Sequence, residues 1–381
     1  MPGTLFLVCG EPSGEAYAAR VAAEFRRRYP GAPMEGIGGP RLEAQGVSLL
    51  RDYADISVVG FTEVLSHLGA IRDALSASEA RLRKGDIGAV VLVDFPGFNF
   101  RVGLAAWKLG IPVIYYIPPQ LWAWRTGRAR TLAKFASGAV VLFPFEEPLL
   151  KGYGVNAVFA GHPLLDELAP WLDAEPEPSR FGIPAGKTAI GLLPGSRPGE
   201  IERHLGILLS AARIVLSRFP DVHFALPVAG AALRGAIERK LAGTDLPVTL
   251  VDSDRHLMFR GLSAAVSVSG TATLELALLG VPSVIVYRGS WLSYAIGRLL
   301  VKIDRIGLPN IVAGERFLPE LIQGDCRPDR IAEEMRPFLA DPGRLATLRE
   351  RCLSLRDLLR GPGPTRAVVD MLAREAGGSW T

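Results

Sequence analysis

The chain has 381 residues, 43 basic and 39 acidic, for a formal net charge of +4 with its five histidines neutral. A content of 49% hydrophobic and 22% charged residues excludes intrinsic disorder, and 42 glycines and 29 prolines without a fixed period exclude a collagen-like repeat. So small a basic surplus does not call for nucleic acid; anionic substrates or an anionic membrane surface account for it.

Leu5–Cys9 reads as a first strand, since Met1–Gly10 lacks the basic n-region of a signal peptide. Helical patterns follow at Tyr17–Arg28, Phe61–Leu82, Arg101–Leu109 and Arg128–Phe135. Between them lie apolar runs at Ala89–Asp94, Val113–Ile117 and Ala139–Leu142. This alternation predicts parallel βαβ units. Asp166–Lys187, with Pro170, Glu175, Pro176, Glu177, Pro178 and Pro184, reads as a linker. A second series then begins. Its strands are Ala189–Leu193, His223–Pro227, Val248–Val251, Ala264–Ser267 and Ser283–Tyr287. Its helices are Ile201–Arg218, Ala232–Leu241, Thr273–Leu279 and Trp291–Lys302, and past Pro328 the pattern is helical throughout. Cys9, Cys326 and Cys352 form no CxxC and read as buried residues in a reducing cytosol. No run of about 18 apolar residues is free of charge and proline, so no membrane span is expected.

At about 150 residues per domain, two domains are expected. Both are doubly wound α/β units of Rossmann-like type, at 1–168 and 189–340, with a linker at 169–188. A helical tail, 341–381, packs back on the first domain or exchanges with a second chain in a homodimer. Ligands in open parallel sheets bind beyond the carboxyl ends of the strands. Two such domains face to face make a cleft.

Three motifs are decoys. Gly182–Thr188 imitates a P-loop but is one residue short and precedes a strand instead of following one. Asp252-Ser-Asp254 resembles a metal-binding Asp-x-Asp, yet it stands where a helix N-cap is expected. Gly36-Ile-Gly-Gly39 lacks the full dinucleotide fingerprint. Neither HExxH nor GxSxG occurs, which removes metalloprotease and serine-hydrolase readings. No metal and no cofactor is expected.

Four strand-end loops carry chemistry. Gly10-Glu-Pro-Ser-Gly-Glu15 combines close-approach glycines with a following helix N-terminus, where Ser13 is either a cap or a ligand contact. Asp94 ends an apolar strand before Pro96 and Gly97, which suits a general base or a helix cap. Pro194-Gly195-Ser196-Arg197 offers backbone N–H groups, a hydroxyl and a guanidinium to a diphosphate. Ser269-Gly270-Thr271-Ala-Thr273, with Glu275 in the next turn, offers an anion site and a carboxylate for a ribose diol, or simply complements the helix dipole. Two anion loops in one half and a base in the other suggest a nucleotide-diphosphate donor and a separate acceptor, the layout of a two-domain nucleotide-sugar glycosyltransferase.

The ordered set becomes specific when Gly36–Pro40, Val93–Asn99, Pro119-Gln-Leu-Trp-Ala-Trp124, Leu142–Glu146, Gly161-His-Pro163, Leu193–Arg197 and Leu308-Pro-Asn310 are added. Over nearly its whole length the chain resembles the lipid-A-disaccharide synthase family. The resemblance implies a GT-B fold and an inverting, metal-independent transfer of 2,3-diacylglucosamine from its UDP conjugate to 2,3-diacylglucosamine 1-phosphate (lipid X), giving a β-1,6-linked disaccharide 1-phosphate and UDP. It implies Asp94 as base, with Gly195, Ser196, Arg197, Ser269, Gly270, Thr271, Thr273, Glu275 and Asn310 on the donor side. Ser13, Gly14 and Glu15 would adjoin the acceptor. Glu15 stands where the family usually has Asp, and Gly97 where some members carry a second Asp. A UDP-N-acetylglucosamine 2-epimerase and a non-catalytic nucleotide-sugar module are the alternatives. Acylated substrates imply peripheral contact with the inner face of the cytoplasmic membrane. Phe61, Val64, Leu65, Leu68, Ile71 and Leu75 share a helical face that serves either the core or acyl chains. Trp291, Arg298, Lys302 and Arg305 make a basic aromatic segment suited to a membrane interface. Trp122 and Trp124, followed by Arg125, Arg128 and Arg130, mark a further lipid-side rim.

Overall fold

A computed structural model describes residues 3–56, 64–121, 127–289 and 305–380, with only the backbone entering at residues 64–68. The chain divides into two units, Met1–Pro163 with Arg360–Thr381, and Leu164–Leu359.

The first unit holds β1 (Thr4–Val8), β2 (Met34–Gly38), β3 (Ser48–Asp52), β4 (Ile87–Val93), β5 (Val113–Tyr116), β6 (Gly138–Val141) and β7 (Ala157–Phe159). They form one parallel sheet in the order β3-β2-β1-β4-β5-β6-β7. Both faces are covered, so alternate residues of one strand enter different cores. Phe6, Val8, Val90, Leu92 and Tyr115 pack with Phe98, Phe100 and Leu132 under the helices Pro96–Lys108 and Gly127–Phe135. Leu5, Leu7, Val91, Val93 and Ile114 pack on the other side with Val21 and Phe25 of helix Pro12–Arg28. Val368, Val369, Met371 and Leu372 of helix Pro364–Ala376 complete that second layer. Each such side chain contributes about 1.5–3 kcal/mol by leaving water.

The second unit holds β8 (Thr188–Leu193), β9 (Val222–Pro227), β10 (Val248–Val251), β11 (Ala264–Val268), β12 (Ser283–Tyr287) and β13 (Glu320–Ile322). They too are parallel, in the order β10-β9-β8-β11-β12-β13.

Two expected boundaries move. The 169–188 stretch is not a free linker. Its backbone is tied into the second unit by Arg260 Nε to the Ala174 carbonyl (3.0 Å) and by Arg356 Nη2 to the Leu172 carbonyl (2.9 Å). The 341–381 stretch is divided: helix Pro342–Leu359 belongs to the second unit, while the segment from Arg360 returns to the first. That return is close-packed. Gly363 N–H donates to the Ala160 carbonyl (2.9 Å), and a Cβ on Gly161 would stand 2.9 Å from the Gly361 nitrogen.

Candidate active site

In each sheet the strand order reverses at one crevice, β1/β4 in the first unit and β8/β11 in the second. Connections leave in opposite directions there, opening a gap at the carboxyl ends. All four loops singled out in the sequence follow these four strands.

At the β1/β4 crevice, Asp94 and Phe95 take left-handed backbone angles, φ 48° and 44°. Such angles cost non-glycine residues about 1–2 kcal/mol each. Three hydrogen bonds fix the turn: Asp94 N–H to the Tyr116 carbonyl (3.1 Å), and Asn99 Nδ2 and the Tyr115 hydroxyl to the Asp94 carbonyl (2.7 Å each). Pro96 then occupies the first position of helix Pro96–Lys108, where its missing N–H costs nothing. Phe95 lies directly on Gly10, whose Cβ, if present, would meet the ring at 2.2 Å. Gly14 lies in ordinary contact range of Asp94, its hypothetical Cβ 3.9 Å from that of Asp94.

Burial, and then the negative charge of Glu11, raise the Asp94 pKa to about 7. The Ser13 hydroxyl donates to Glu11 Oε1 at 2.7 Å. Ser13 and Gly14 stand near the candidate base, in the first turn of a helix that starts at Pro12. Glu15 faces elsewhere. Its Oε1 accepts from Arg41 N–H (2.8 Å) and Leu42 N–H (3.3 Å), and Oε2 accepts from the Tyr53 hydroxyl (3.4 Å). It is 2% exposed and caps the short helix Pro40–Glu43.

At the β8/β11 crevice, Gly195 has φ 110° and its missing Cβ leaves room for Glu200. Glu200 Oε2 accepts from Ser196 N–H (2.8 Å) and Arg197 N–H (3.2 Å). The backbone donors expected to face a diphosphate are thus held by a carboxylate three and four residues on. What the loop exposes is the Ser196 side chain and the Arg197 guanidinium, which also lies 3.5 Å from Glu200 Oε1. Across the crevice, Gly270 and Thr271 are exposed at the N-terminus of helix Thr271–Leu278. Ser269 and Thr273 turn inward: their hydroxyls donate to the Ile306 carbonyl (2.8 Å) and the Gly270 carbonyl (2.7 Å).

Glu275 is 5% exposed, with Oε1 accepting from Arg255 Nη2 (3.2 Å) and Oε2 lying 3.1 Å from His256 Nε2. The Trp171 ring packs on His256 at 4.7 Å between centroids. Asn310 is wholly buried and fully engaged. Its amide donates to the Leu318 carbonyl (2.9 Å) and Glu320 Oε1 (2.8 Å), and its oxygen accepts from Phe317 and Leu318 N–H (3.1 and 3.0 Å). With all four of its hydrogen-bonding positions used, Asn310 braces the 306–320 loop. Burial lowers the pKa of His204, which contacts the Glu200 carbonyl through Nδ1 (2.8 Å) and accepts from Arg288 N–H at Nε2 (2.9 Å).

Glu11, Glu200, Arg255 and His256 are the site residues missed in the sequence. Only Glu200 left a signal there, an acid three residues beyond the helix N-cap. Asp252 and Asp254 pair with Arg234 and Arg180, and no cluster of three metal-ligating side chains occurs among the described residues. The side chains of Val64, Leu65 and Leu68 lie outside the described residues, as do Trp122, Trp124, Arg125, Trp291, Arg298 and Lys302.

Two parallel-sheet units, each with its functional loops at a strand-order reversal, define the GT-B class of fold. A structure of a UDP-GlcNAc 2-epimerase from Neisseria meningitidis bound to UDP-GlcNAc has TM-score 0.62 and 15% identity, with 97% of this chain and 99% of that one covered. A structure of the glycotransferase of kitacinnamycin has TM-score 0.64 and 16% identity, covering 99% of this chain and 100% of that one. At such identities the likeness is one of fold alone. The family model of lipid-A-disaccharide synthetase matches residues 5–361. A lipid-A-disaccharide synthase from Syntrophus aciditrophicus is 42% identical over 96% of each chain. The chain belongs to the lipid-A-disaccharide synthetase family of glycosyltransferases.

Proposed function

We propose that the chain catalyses the family reaction, transferring 2,3-diacylglucosamine from its UDP conjugate to the 6-hydroxyl of 2,3-diacylglucosamine 1-phosphate. Asp94 takes the proton of the 6-hydroxyl. The oxygen attacks the anomeric carbon from the face opposite UDP, and the bond to the β-phosphate breaks with inversion. Negative charge grows on that phosphate, where the exposed Arg197 and the N-terminus of helix Thr271–Leu278 suit it. Charge stabilisation by fixed cations and dipoles requires no metal.

The observation that carries this reading is a base held near pH 7 in a strained, over-determined turn at the β1/β4 crevice. An ordinary aspartate, with a pKa near 3.9, is a far weaker base. Acyl chains on both substrates call for work at the inner face of the cytoplasmic membrane, and no helix of the described residues is long and apolar enough to cross one. The test is incubation with both acylated sugars and mass spectrometry. A tetraacyl disaccharide 1-phosphate, with UDP released only when acceptor is present, supports the proposal. UDP release or 2-epimer formation without acceptor overturns it.

A further inference from the structure

The helices Pro96–Lys108 and Gly127–Phe135 lie side by side on one face of the first sheet, joined by Arg128 over the Phe100 ring (5.4 Å) and Lys134 over the Trp107 ring (4.6 Å). Neither contains an acidic residue, and together they carry Arg101, Lys108, Arg128, Arg130 and Lys134. Arg101 and Lys108 are seven residues apart and share a helix face; Arg130 and Lys134 are four apart and do the same. Arg101, Lys108, Arg130 and Lys134 are all exposed, and among the described residues none of them has a carboxylate within ion-pair distance. Trp107 is 42% exposed and Leu109 45%, two of only four large apolar side chains so exposed among the described residues.

Unpaired cations beside an exposed tryptophan are a chemical combination with a specific partner. The cations attract a dense negative surface, and the indole inserts at a boundary between water and hydrocarbon. A nucleic acid would use the cations but leave Trp107 and Leu109 without an apolar environment. We infer that the Pro96–Lys108 and Gly127–Phe135 face is the surface by which this unit docks on an anionic lipid bilayer. The inference rests on the proposed reading that both substrates are membrane lipids. It places the bilayer on the helix that begins directly after Asp94.

The experiment is co-sedimentation of the full chain with vesicles of phosphatidylcholine containing roughly one-third phosphatidylglycerol, against phosphatidylcholine alone. Binding to the anionic vesicles is expected, and it should be lost between ~0.1 M and ~1 M salt, as the screening length shrinks. Arg101→Glu/Lys108→Glu/Arg130→Glu should weaken it at least about a hundredfold, at roughly fivefold per cation removed near the surface. The Gln triple variant should fall in between. UDP affinity and turnover of detergent-dispersed substrates should be unchanged in both variants. Unchanged vesicle binding by a folded triple variant overturns the inference, as does equal binding to neutral vesicles or binding to duplex DNA but not to vesicles. Failure of the wild type to turn over detergent-dispersed substrates would instead strike the functional reading and leave the sedimentation result standing.

Discussion

At the β1/β4 crevice the negative charge of Glu11 stands near Asp94 and, after burial, is the second cause of the rise in the Asp94 pKa to about 7. Ser13 fixes the orientation of Glu11, its hydroxyl donating to Glu11 Oε1 at 2.7 Å.

Asp94→Asn should retain the fold and UDP affinity while lowering turnover by about 10²–10⁴-fold, the usual consequence of losing a general base. Titration calorimetry with UDP and single-turnover assays separate the two effects. A near-normal rate would remove Asp94 from the chemistry.

With Asp94 near pKa 7, kcat/KM should climb with pH up to about 7 and then level off. Stability should move in the opposite direction. The folded chain holds this proton more tightly than the unfolded one, so the contribution is complete below about pH 4 and is lost as pH rises through 7. Glu11→Gln removes the negative neighbour and leaves burial, so the limb should move to lower pH without reaching an ordinary aspartate value. A limb that stays in place would show that burial alone sets it.

Glu200→Ala should weaken UDP binding although Glu200 touches no donor in the proposed mechanism. Without it the Ser196 and Arg197 N–H groups lose their acceptor and the loop loses its shape. Losing a charged acceptor of two backbone donors costs roughly 1.5–3 kcal/mol. The effect should fall on donor KM more than on the pH profile.

Asn310→Ala should behave as a stability mutant. It strands the partly buried Phe317 N–H and the buried Leu318 N–H and carbonyl, and takes one of three donors from Glu320. A loss of about 2–4 kcal/mol in chemical denaturation is expected. Wild-type stability with weakened UDP binding would instead return Asn310 to the ligand.

Activity should persist in excess EDTA, since charge on the leaving diphosphate is met by Arg197 and helix dipoles. A requirement restored by added divalent ion would overturn the metal-independent step.

The strand-end loops were legible in the sequence because each joins an apolar run to a helix through glycine, with proline in three of the four. The five strands expected in the second half match β8 to β12 nearly residue for residue. The short strands β2, β3, β7 and β13 were not among the expected runs. β2 reads Met-Glu-Gly-Ile-Gly, and β3 and β13 lie at sheet edges with polar residues. Helix starts were read late because Pro12, Pro96 and Pro198 looked like breakers where each is the first helical residue. The partners of the expected site residues were hidden for a different reason. Glu11 reaches Asp94 only because β1 neighbours β4, and His256 reaches Glu275 only once two helices pack. Such neighbours are set by topology, and no local spacing encodes them.

The return of the chain at Arg360 bears on how the molecule is made. Helix Pro364–Ala376 buries one face of β4, β5 and β6, and Gly3 N–H is bonded to the Ser379 carbonyl at 2.6 Å. A ribosome delivers those residues only after all of Leu164–Leu359 has emerged. Until then Val91, Ile114 and Val140 of the first sheet lack part of their cover. At about 5–20 residues per second, the nascent chain spends on the order of ten seconds or more in that state. The unit that emerges first is therefore the last to be finished.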